Sequence, residues 1–434
     1  MKTISRRKIL KALGAGGALS SLGIAGCASQ GVMSGKAAAK VVVVGGGFGG
    51  ATCAKYLKRF DSNLEVTLVE QSRQYTTCPG SNWVLGGLRS MDDITHGYGD
   101  LNSRYGVKVV HDTVTAIEPG QRRVVLAGGQ SLSYDRLVVS PGIDFRWDAI
   151  EGYDASVAEK IPHAWKAGPQ TRLLYDQLRA MRDGGTVIIA PPGNPFRCPP
   201  GPYERTSMIA HYLKTHKPRS KILVLDTKDA FSKKGLFEAG WAALYPGMIE
   251  WVPGSSGGKV ERVDAATNTV YAQSGMDRHK ADVINIIPPQ QAGQLAQIAG
   301  LTNDTGWCPV NQQTFESSIH PGIHVIGDSS IAGAMPKSGH SANSQAKMTA
   351  AAIVAMLKDL PVISPSHVNT CYSLIGPDYG ITVAAVYRLG DDGAIAGVKG
   401  AGGVSPTDVP HQFRTQEARY AEGWYASITQ DSFR

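Results

Sequence analysis

Three cysteines, Cys78, Cys198 and Cys308, are each followed directly by proline. A thiolate is a nucleophile, and two thiols together exchange two electrons by forming or breaking a disulfide. Cys198 and Cys308 lie 110 positions apart with no local C-x-x-C motif, so only a fold that joins two distant loops can pair them. On the residues alone, two readings of such a pair stay open. A structural bridge would close a long loop and stabilise the fold by about 4–5 kcal/mol in the chain-entropy model. A redox bridge needs an electron carrier beside it. Both cysteines lie in proline-containing loops rather than in apolar strands. Cys78 reads as a free loop thiol, because no local motif specifies its modification. Cys53, inside a helical stretch, and Cys371 read as small, buried, reduced residues.

The elements that must position these sulfurs also describe a carrier site. Lys40 to Val44 is a continuous β-branched run, typical of a buried parallel strand. A glycine-rich turn follows, then a helix to about Arg59, then a strand from Glu65 to Val69 closed by Glu70. The result is a βαβ unit with G-x-G-x-x-G at Gly45, Gly47 and Gly50, and an acid 20 residues past the last glycine. Gly45 permits the tight turn, Gly47 lets the backbone approach a pyrophosphate, and Gly50 lets helix and strand close together. Glu70 is placed to accept from ribose hydroxyls. In this order the signals mark a dinucleotide site.

A second βαβ-like block has strands at Thr186 to Ala190 and Lys221 to Leu225, the latter ending at Asp226. Its first turn, Pro191-Pro192-Gly193-Asn194-Pro195, lacks the glycine fingerprint, and prolines remove donors that would hold a pyrophosphate. This argues against a nicotinamide partner. Ile323 to Gly327 predicts a strand returning to the first domain, with Asp328 at its end near the ribityl chain of an FAD. Ser338 to Asn343 opens a helix to about Leu357, whose N-terminal dipole suits negative charge on a reduced flavin. Beyond Val362 come a strand from Ile381 to Arg388, glycine-rich loops and a helix from about Thr415 to Ile428. The predicted class is α/β: two Rossmann-like domains in a glutathione-reductase-like arrangement, plus a C-terminal α+β domain. The expected boundaries are 1–39 for a leader, 40–150 with 295–360 for the FAD domain, 151–294 for the second Rossmann-like domain and 361–434 for an interface domain.

The 434 residues carry 18% charged residues, 51 glycines and a net charge of +8. That composition suits a compact enzyme rather than a disordered or coiled-coil chain. No Lys/Arg stripe with interleaved aromatics marks nucleic-acid binding, and the positive field favours an anionic small substrate or an acidic partner. No His/Cys/Asp cluster has metal spacing. Ser5 to Lys11 reads S-R-R-K-I-L-K, a twin-arginine export pattern, followed by an apolar stretch too short and too glycine-rich to span a membrane. The expected location is the periplasm. Ile24-Ala25-Gly26-Cys27 resembles a lipidation site at Cys27, but an ordinary cleavage site near Ala37 to Ala39 is preferred.

The longer motifs carry a resemblance. V-V-V-V-G-G-G-F-G-G-A-T (Val41 to Thr52), A-P-P-G-N-P-F-R-C-P-P-G-P-Y-E-R (Ala190 to Arg205), A-G-L-T-N-D-T-G-W-C-P-V (Ala299 to Val310), M-P-K-S-G-H-S-A-N-S-Q (Met335 to Gln345) and N-T-C-Y-S (Asn369 to Ser373) resemble the flavoprotein subunit of flavocytochrome c sulfide dehydrogenase. More distant relatives are the sulfide:quinone reductases. The resemblance implies hydrosulfide as substrate, with sulfur or polysulfide as product. It implies FAD joined covalently through Cys78, a redox disulfide of Cys198 and Cys308 beside the flavin, and Glu204 as an acid/base group. FAD would be bound by Gly45, Gly47, Gly50, Glu70, Gly327, Asp328, Ser338 and Asn343. Trp424 would lie on the electron route to a haem c carried by a separate cytochrome subunit, since this chain has no C-x-x-C-H of its own. His340 departs from the pattern of the family. The alternatives are a sulfide:quinone reductase and a catalytically silent flavoprotein scaffold for a cytochrome.

Overall fold

Four consecutive valines build the centre of the first sheet. β1 (Lys40–Val44) pairs in parallel on both sides, so its side chains are buried on both faces and β-branched residues suit every position. In the computed structural model, which describes residues 38–434, the order of this sheet is β9 (Ile323–Val325), β4 (Arg136–Val139), β1, β2 (Glu65–Val69), β3 (Lys108–Val110). All pairings are parallel. The arginine-bearing leader and Cys27 lie outside the described residues. β9 thus returns from late in the chain, as the Gly327-Asp328 segment predicts, although the strand itself ends at Val325.

The second sheet repeats the plan with order β7 (Ile249–Val252), β6 (Lys221–Leu225), β5 (Thr186–Ala190), β8 (Val283–Ile286), all parallel. The two blocks differ in their first turns. Three residues, all glycine, separate β1 from α1 (Phe48–Phe60). Ten, five of them proline, separate β5 from α3 (Gly201–His216). Asp226 stands at the end of β6 where Glu70 stands in the first block. It is fully buried and accepts from Tyr203 (2.5 Å), Trp251 (3.1 Å) and Lys228 (2.7 Å). Its acceptor capacity serves the core of this unit.

The third region holds more strand than its residues suggest. β10 (Ser366–Gly376), β11 (Tyr379–Leu389) and β12 (Ile395–Val404) form an antiparallel sheet. Only β11 corresponds to the predicted strand. β12 contains four glycines and reads locally as loop; its pairing with β11 overrides that propensity.

α5 (His411–Phe433) runs longer than predicted at both ends. Its last turn is tied to the first sheet's helices. Lys55 of α1 donates to the carbonyls of Asp431 (2.8 Å) and Arg434 (2.6 Å), a cation at a helix C-terminus. Phe433 sits among Phe48, Tyr75 and His96 at centroid distances of 5.4, 5.6 and 5.2 Å. Asn343 of α4 (Gly339–Leu357) donates to Thr52 (3.0 Å), Asp431 (2.9 Å) and Ser432 (3.2 Å). Its amide nitrogen is therefore engaged in joining three helices, which leaves the expected flavin contact from Asn343 without a free N–H. Asn343→Ala should cost about 1–3 kcal/mol by leaving buried polar groups without their partner. Denaturant unfolding checks this, and a loss below about 0.5 kcal/mol would show that the ties contribute little.

Candidate active site

The dinucleotide cradle is built where the glycines predict. Gly45 adopts φ +96°, and a Cβ there would lie 2.4 Å from the Ser140 carbonyl oxygen. A Cβ on Gly50 would lie 1.8 Å from the Gly45 carbonyl oxygen, so only glycine lets α1 start against the end of β1. Gly47 caps α1 with no side chain of its own, leaving first-turn N–H groups facing outward. Glu70 accepts from the Gly46 N–H (2.6 Å) and the Ser72 N–H (2.9 Å), one donor per oxygen, so lone pairs remain for ribose hydroxyls.

At the other end, Gly327 turns with φ +76° and its N–H donates to Gln345. Asp328 follows, with Oδ2 3.7 Å from Arg197 and Oδ1 buried without a partner. Burial raises the Asp328 carboxyl, and Arg197 pulls it back. An unpartnered carboxylate oxygen at this point suits a ribityl hydroxyl. The bare glycine cradle, Glu70 and Asp328 together fit FAD.

Beyond Asp328 lies a cavity into which three sulfurs face: Cys78, Cys198 and Cys371. Glu204, Arg197, Arg205, Trp165, His340, Trp424 and the Ser338-Gly339 corner complete its walls. Cys198 sits in the long proline turn with φ +56°, a conformation uncommon outside glycine. Its N–H donates to the Lys337 carbonyl (2.7 Å), and its carbonyl accepts from the Gly201 N–H (2.8 Å). A Cβ on Gly201 would lie 2.9 Å from the Cys198 sulfur, so the first residue of α3 is glycine to leave the thiol room.

The three sulfurs come together through one carboxylate. Glu204, in the first turn of α3, accepts from Asn82 (2.9 Å) and Trp83 (3.0 Å) of α2 (Ser81–Leu85), and from the backbone N–H of Leu374 in β10 (3.0 Å). Cys78 precedes α2, Cys198 precedes α3 and Cys371 lies three residues before Leu374 in β10. Arg205 forms no ion pair with Glu204. It donates instead to Asn82, His163, Asn285 and Ala164 and stacks 4.8 Å over Trp165. Burial lowers the Arg205 guanidinium to about 9.

Burial pushes the Cys198 thiol well up, and Cys371 and Glu204 push it further, while Arg197 opposes them. The Cys371 thiol is also raised by burial and lowered by its contacts with Asn369 and Lys233. His340 accepts from the Thr370 N–H (2.9 Å) and meets Trp424 edge-on at 5.9 Å; burial lowers its imidazole. Ser338 caps α4 through the Ser341 N–H (3.0 Å) and donates to Asn369 (2.6 Å).

The expected partner of Cys198 does not meet it at the cavity. Cys308 is fully buried in the core, its backbone laddered to Ser329 and Ile331, and it does not line the cavity. Burial raises the Cys308 thiol to about 12, and Lys337 opposes it. Cys371 lines the cavity instead. The pairing of cysteine with proline that marks Cys308 is local, whereas the approach of Cys371 depends on the register of β10 against α3. Trp165, Arg197 and Arg205 also escaped the sequence reading. A signal for Arg197 and Arg205 was present: both flank Cys198 and Glu204 in one unbroken motif.

Among the described residues there is no group of three or more metal-ligating side chains, and no helix is long and apolar enough to cross a membrane.

Three family models match successive parts of the chain. Residues 39–168 match the pyridine nucleotide-disulphide oxidoreductases. Residues 171–288 match the central part of the sulfide dehydrogenase [flavocytochrome c] flavoprotein chain. Residues 363–433 match the flavin-binding part of flavocytochrome c sulphide dehydrogenase. A sulfide dehydrogenase [flavocytochrome c] flavoprotein chain from Chlorobaculum thiosulfatiphilum is 60% identical over 45 residues, covering 10% of this chain and 94% of that one. The mitochondrial sulfide:quinone oxidoreductase of Dictyostelium discoideum is 24% identical over 305 residues, 67% of this chain. The chain spans about 65% of the length of that relative. The crystal structure of the sulfide:quinone oxidoreductase of Aquifex aeolicus superposes with a TM-score of 0.70 at 18% identity, covering 91% of this chain and 92% of that one. With its glycine cradle, its cysteine-bearing proline turn and these matches, the chain belongs to the family of flavoprotein chains of flavocytochrome c sulfide dehydrogenases.

Proposed function

We propose that this chain oxidises hydrosulfide at a Cys198–Cys371 disulfide beside an FAD and delivers the electrons to a c-type cytochrome subunit. The observation that carries this reading is the convergence of Cys198, Cys371 and Cys78 on one cavity walled by Arg197 and Arg205. Two guanidiniums favour entry of an anion. Hydrosulfide attacks one sulfur of the oxidised pair. A bond forms between the incoming sulfur and that cysteine as the Cys198–Cys371 bond breaks, leaving a persulfide and a thiolate. The sulfide sulfur is oxidised and the cysteine pair reduced.

FAD, when bound, supplies the two-electron acceptor that re-oxidises the pair and a carrier from which single electrons leave. Gly45, Gly47, Gly50, Glu70, Gly327 and Asp328 would hold it, with Cys78 as the covalent attachment. The Ser338-Gly339 corner would bring the start of α4 to the ring. Trp424, His340 and Tyr372 form an aromatic group at the cavity wall, with centroid separations of 5.9 and 6.1 Å from Trp424, and lie on the exit route in this reading. Export through the twin-arginine leader would place the chain with a periplasmic cytochrome. A second reading, quinone as the acceptor, is favoured by the similarity to sulfide:quinone oxidoreductases.

Peptide mapping of the oxidised protein without reductant should find Cys198 joined to Cys371 and Cys308 as a thiol; a Cys198–Cys308 peptide would overturn the pairing. Anaerobic titration with sulfide should bleach the flavin, and cytochrome c should restore its colour. Cys198→Ser and Cys371→Ser should each lower the rate of bleaching by at least about a thousandfold, while Cys308→Ser should stay within about threefold of wild type. Restoration by a soluble quinone but not by cytochrome c would select the second reading. Acid precipitation should leave the flavin on the wild-type polypeptide and release it from Cys78→Ser.

A further inference from the structure

Lys233 is a buried lysine that points away from its own unit. It sits just before the helix Lys234–Leu244 with φ +64°, a conformation unusual for a residue with a Cβ. It is only 7% exposed. Its ammonium reaches into the third sheet, donating to the Cys371 carbonyl (3.0 Å), the Ser373 hydroxyl (2.9 Å) and the Ile381 carbonyl (3.3 Å). Burying an ammonium without an ionic partner costs several kcal/mol, and strain of this kind persists where the surrounding structure over-determines it.

The charges that face Lys233 come from four groups on different elements: Cys371 of β10, Glu204 of α3, Cys198 of the proline turn and Glu417 of α5. Glu417 is already engaged by Arg414 (3.0 Å) and by Ser405. Glu204 accepts from Asn82, Trp83 and Leu374, neutral donors that leave its charge in place, and shares its field with Arg205. No carboxylate among the described residues forms an ion pair with Lys233. Glu204 and the two sulfurs therefore share the field of the ammonium, and of these only the sulfurs gain charge when the pair opens.

We propose that Lys233 is a positioning residue for the sulfur pair: it anchors the Cys371 backbone and supplies the positive charge that holds the sulfur anion formed when hydrosulfide opens the Cys198–Cys371 bond. The proposal rests on the reading of Cys198 and Cys371 as the redox pair. In that step a new sulfur–sulfur bond forms as the old one breaks, and the negative charge of hydrosulfide stays with the pair, beside the ammonium. Burial lowers the Lys233 ammonium to about 8 while Cys371 and Glu204 hold it up, so the cation is most secure when an anion is present at Cys371.

The test compares Lys233→Met, Lys233→Gln and Lys233→Arg in the FAD-loaded protein. Glutamine keeps N–H donors without the charge, and arginine keeps the charge. In a Cys198→Ser background, alkylation of Cys371 by iodoacetamide is followed by peptide mass spectrometry against pH. The uncharged variants should displace the alkylation profile upward by about one pH unit, a tenfold slower reaction at fixed pH below the midpoint, and arginine should restore most of it. With Cys198 intact, sulfide should bleach the flavin of the uncharged variants about tenfold more slowly at saturation.

A folded, FAD-loaded Lys233→Gln with the wild-type alkylation profile overturns the proposal. So does a Lys233→Arg that folds and loads FAD but shows the displaced profile expected of the uncharged variants, since the charge would then not be what sets it. Alkylation needs no sulfide. A Lys233-dependent profile in a protein whose flavin ignores sulfide therefore supports the placement of the charge and removes hydrosulfide as the substrate.

Discussion

One buried carboxylate joins the parts of this molecule that carry the cavity's cysteines. Glu204 takes its three donors from two elements other than its own helix. Each element that meets at it carries a cysteine a few residues away. A buried carboxylate that lost one of these donors would be left with an unsatisfied acceptor in a low-dielectric interior, which costs more than the bond itself contributes. The contact is therefore a strong constraint on where β10 lies against α3. The same constraint sets where Cys371 lies against Cys198. An acid/base role for Glu204 has to coexist with this structural one, since both of its oxygens already accept hydrogen bonds.

The local chemistry of the two βαβ blocks was legible from the residues. Runs of β-branched residues place β1, β2, β5 and β6 at the predicted bounds, because a strand buried on both faces needs no alternation to be recognised. The glycine fingerprint was equally legible, since each glycine answers a distance: the approach of Gly50 to Gly45 admits no other side chain. What was not legible depended on contacts between remote segments. Cys308 and Cys371 differ in sequence mainly by the proline that follows the first, and proline says nothing about tertiary distance. β12 is rich in glycine and gains its strand form from β11. Asn343 sits beside a motif that promises a cofactor contact, yet its amide is taken by residues near the far C-terminus, 88 and 89 positions away.

The end of the chain has more influence than its position suggests. α5 carries Trp424 to the cavity wall and Tyr425 to Thr77, next to Cys78, through a hydroxyl contact of 2.8 Å. Its last turn wedges Phe433 among the aromatic residues beside the glycine cradle. One helix thus touches the dinucleotide end and the sulfur end of the same site. Lys55, Asn343 and Lys347 fix its final turn.

The contrast between the two first turns explains how one architecture repeated twice does two kinds of work. In the first block three glycines deliver the backbone to a pyrophosphate at a helix N-terminus. In the second, prolines remove those donors, extend the turn to ten residues and delay α3. The extra length carries Arg197 and Cys198 into the cavity, where the strained backbone at Cys198 and the glycine at 201 make room for a sulfur. Asp226, the counterpart of Glu70, is withdrawn into the core by Tyr203, Trp251 and Lys228. A site that elsewhere would present backbone donors to a second dinucleotide instead presents a thiol and a cation. The residues that replace the glycine turn are the same residues that line the cavity.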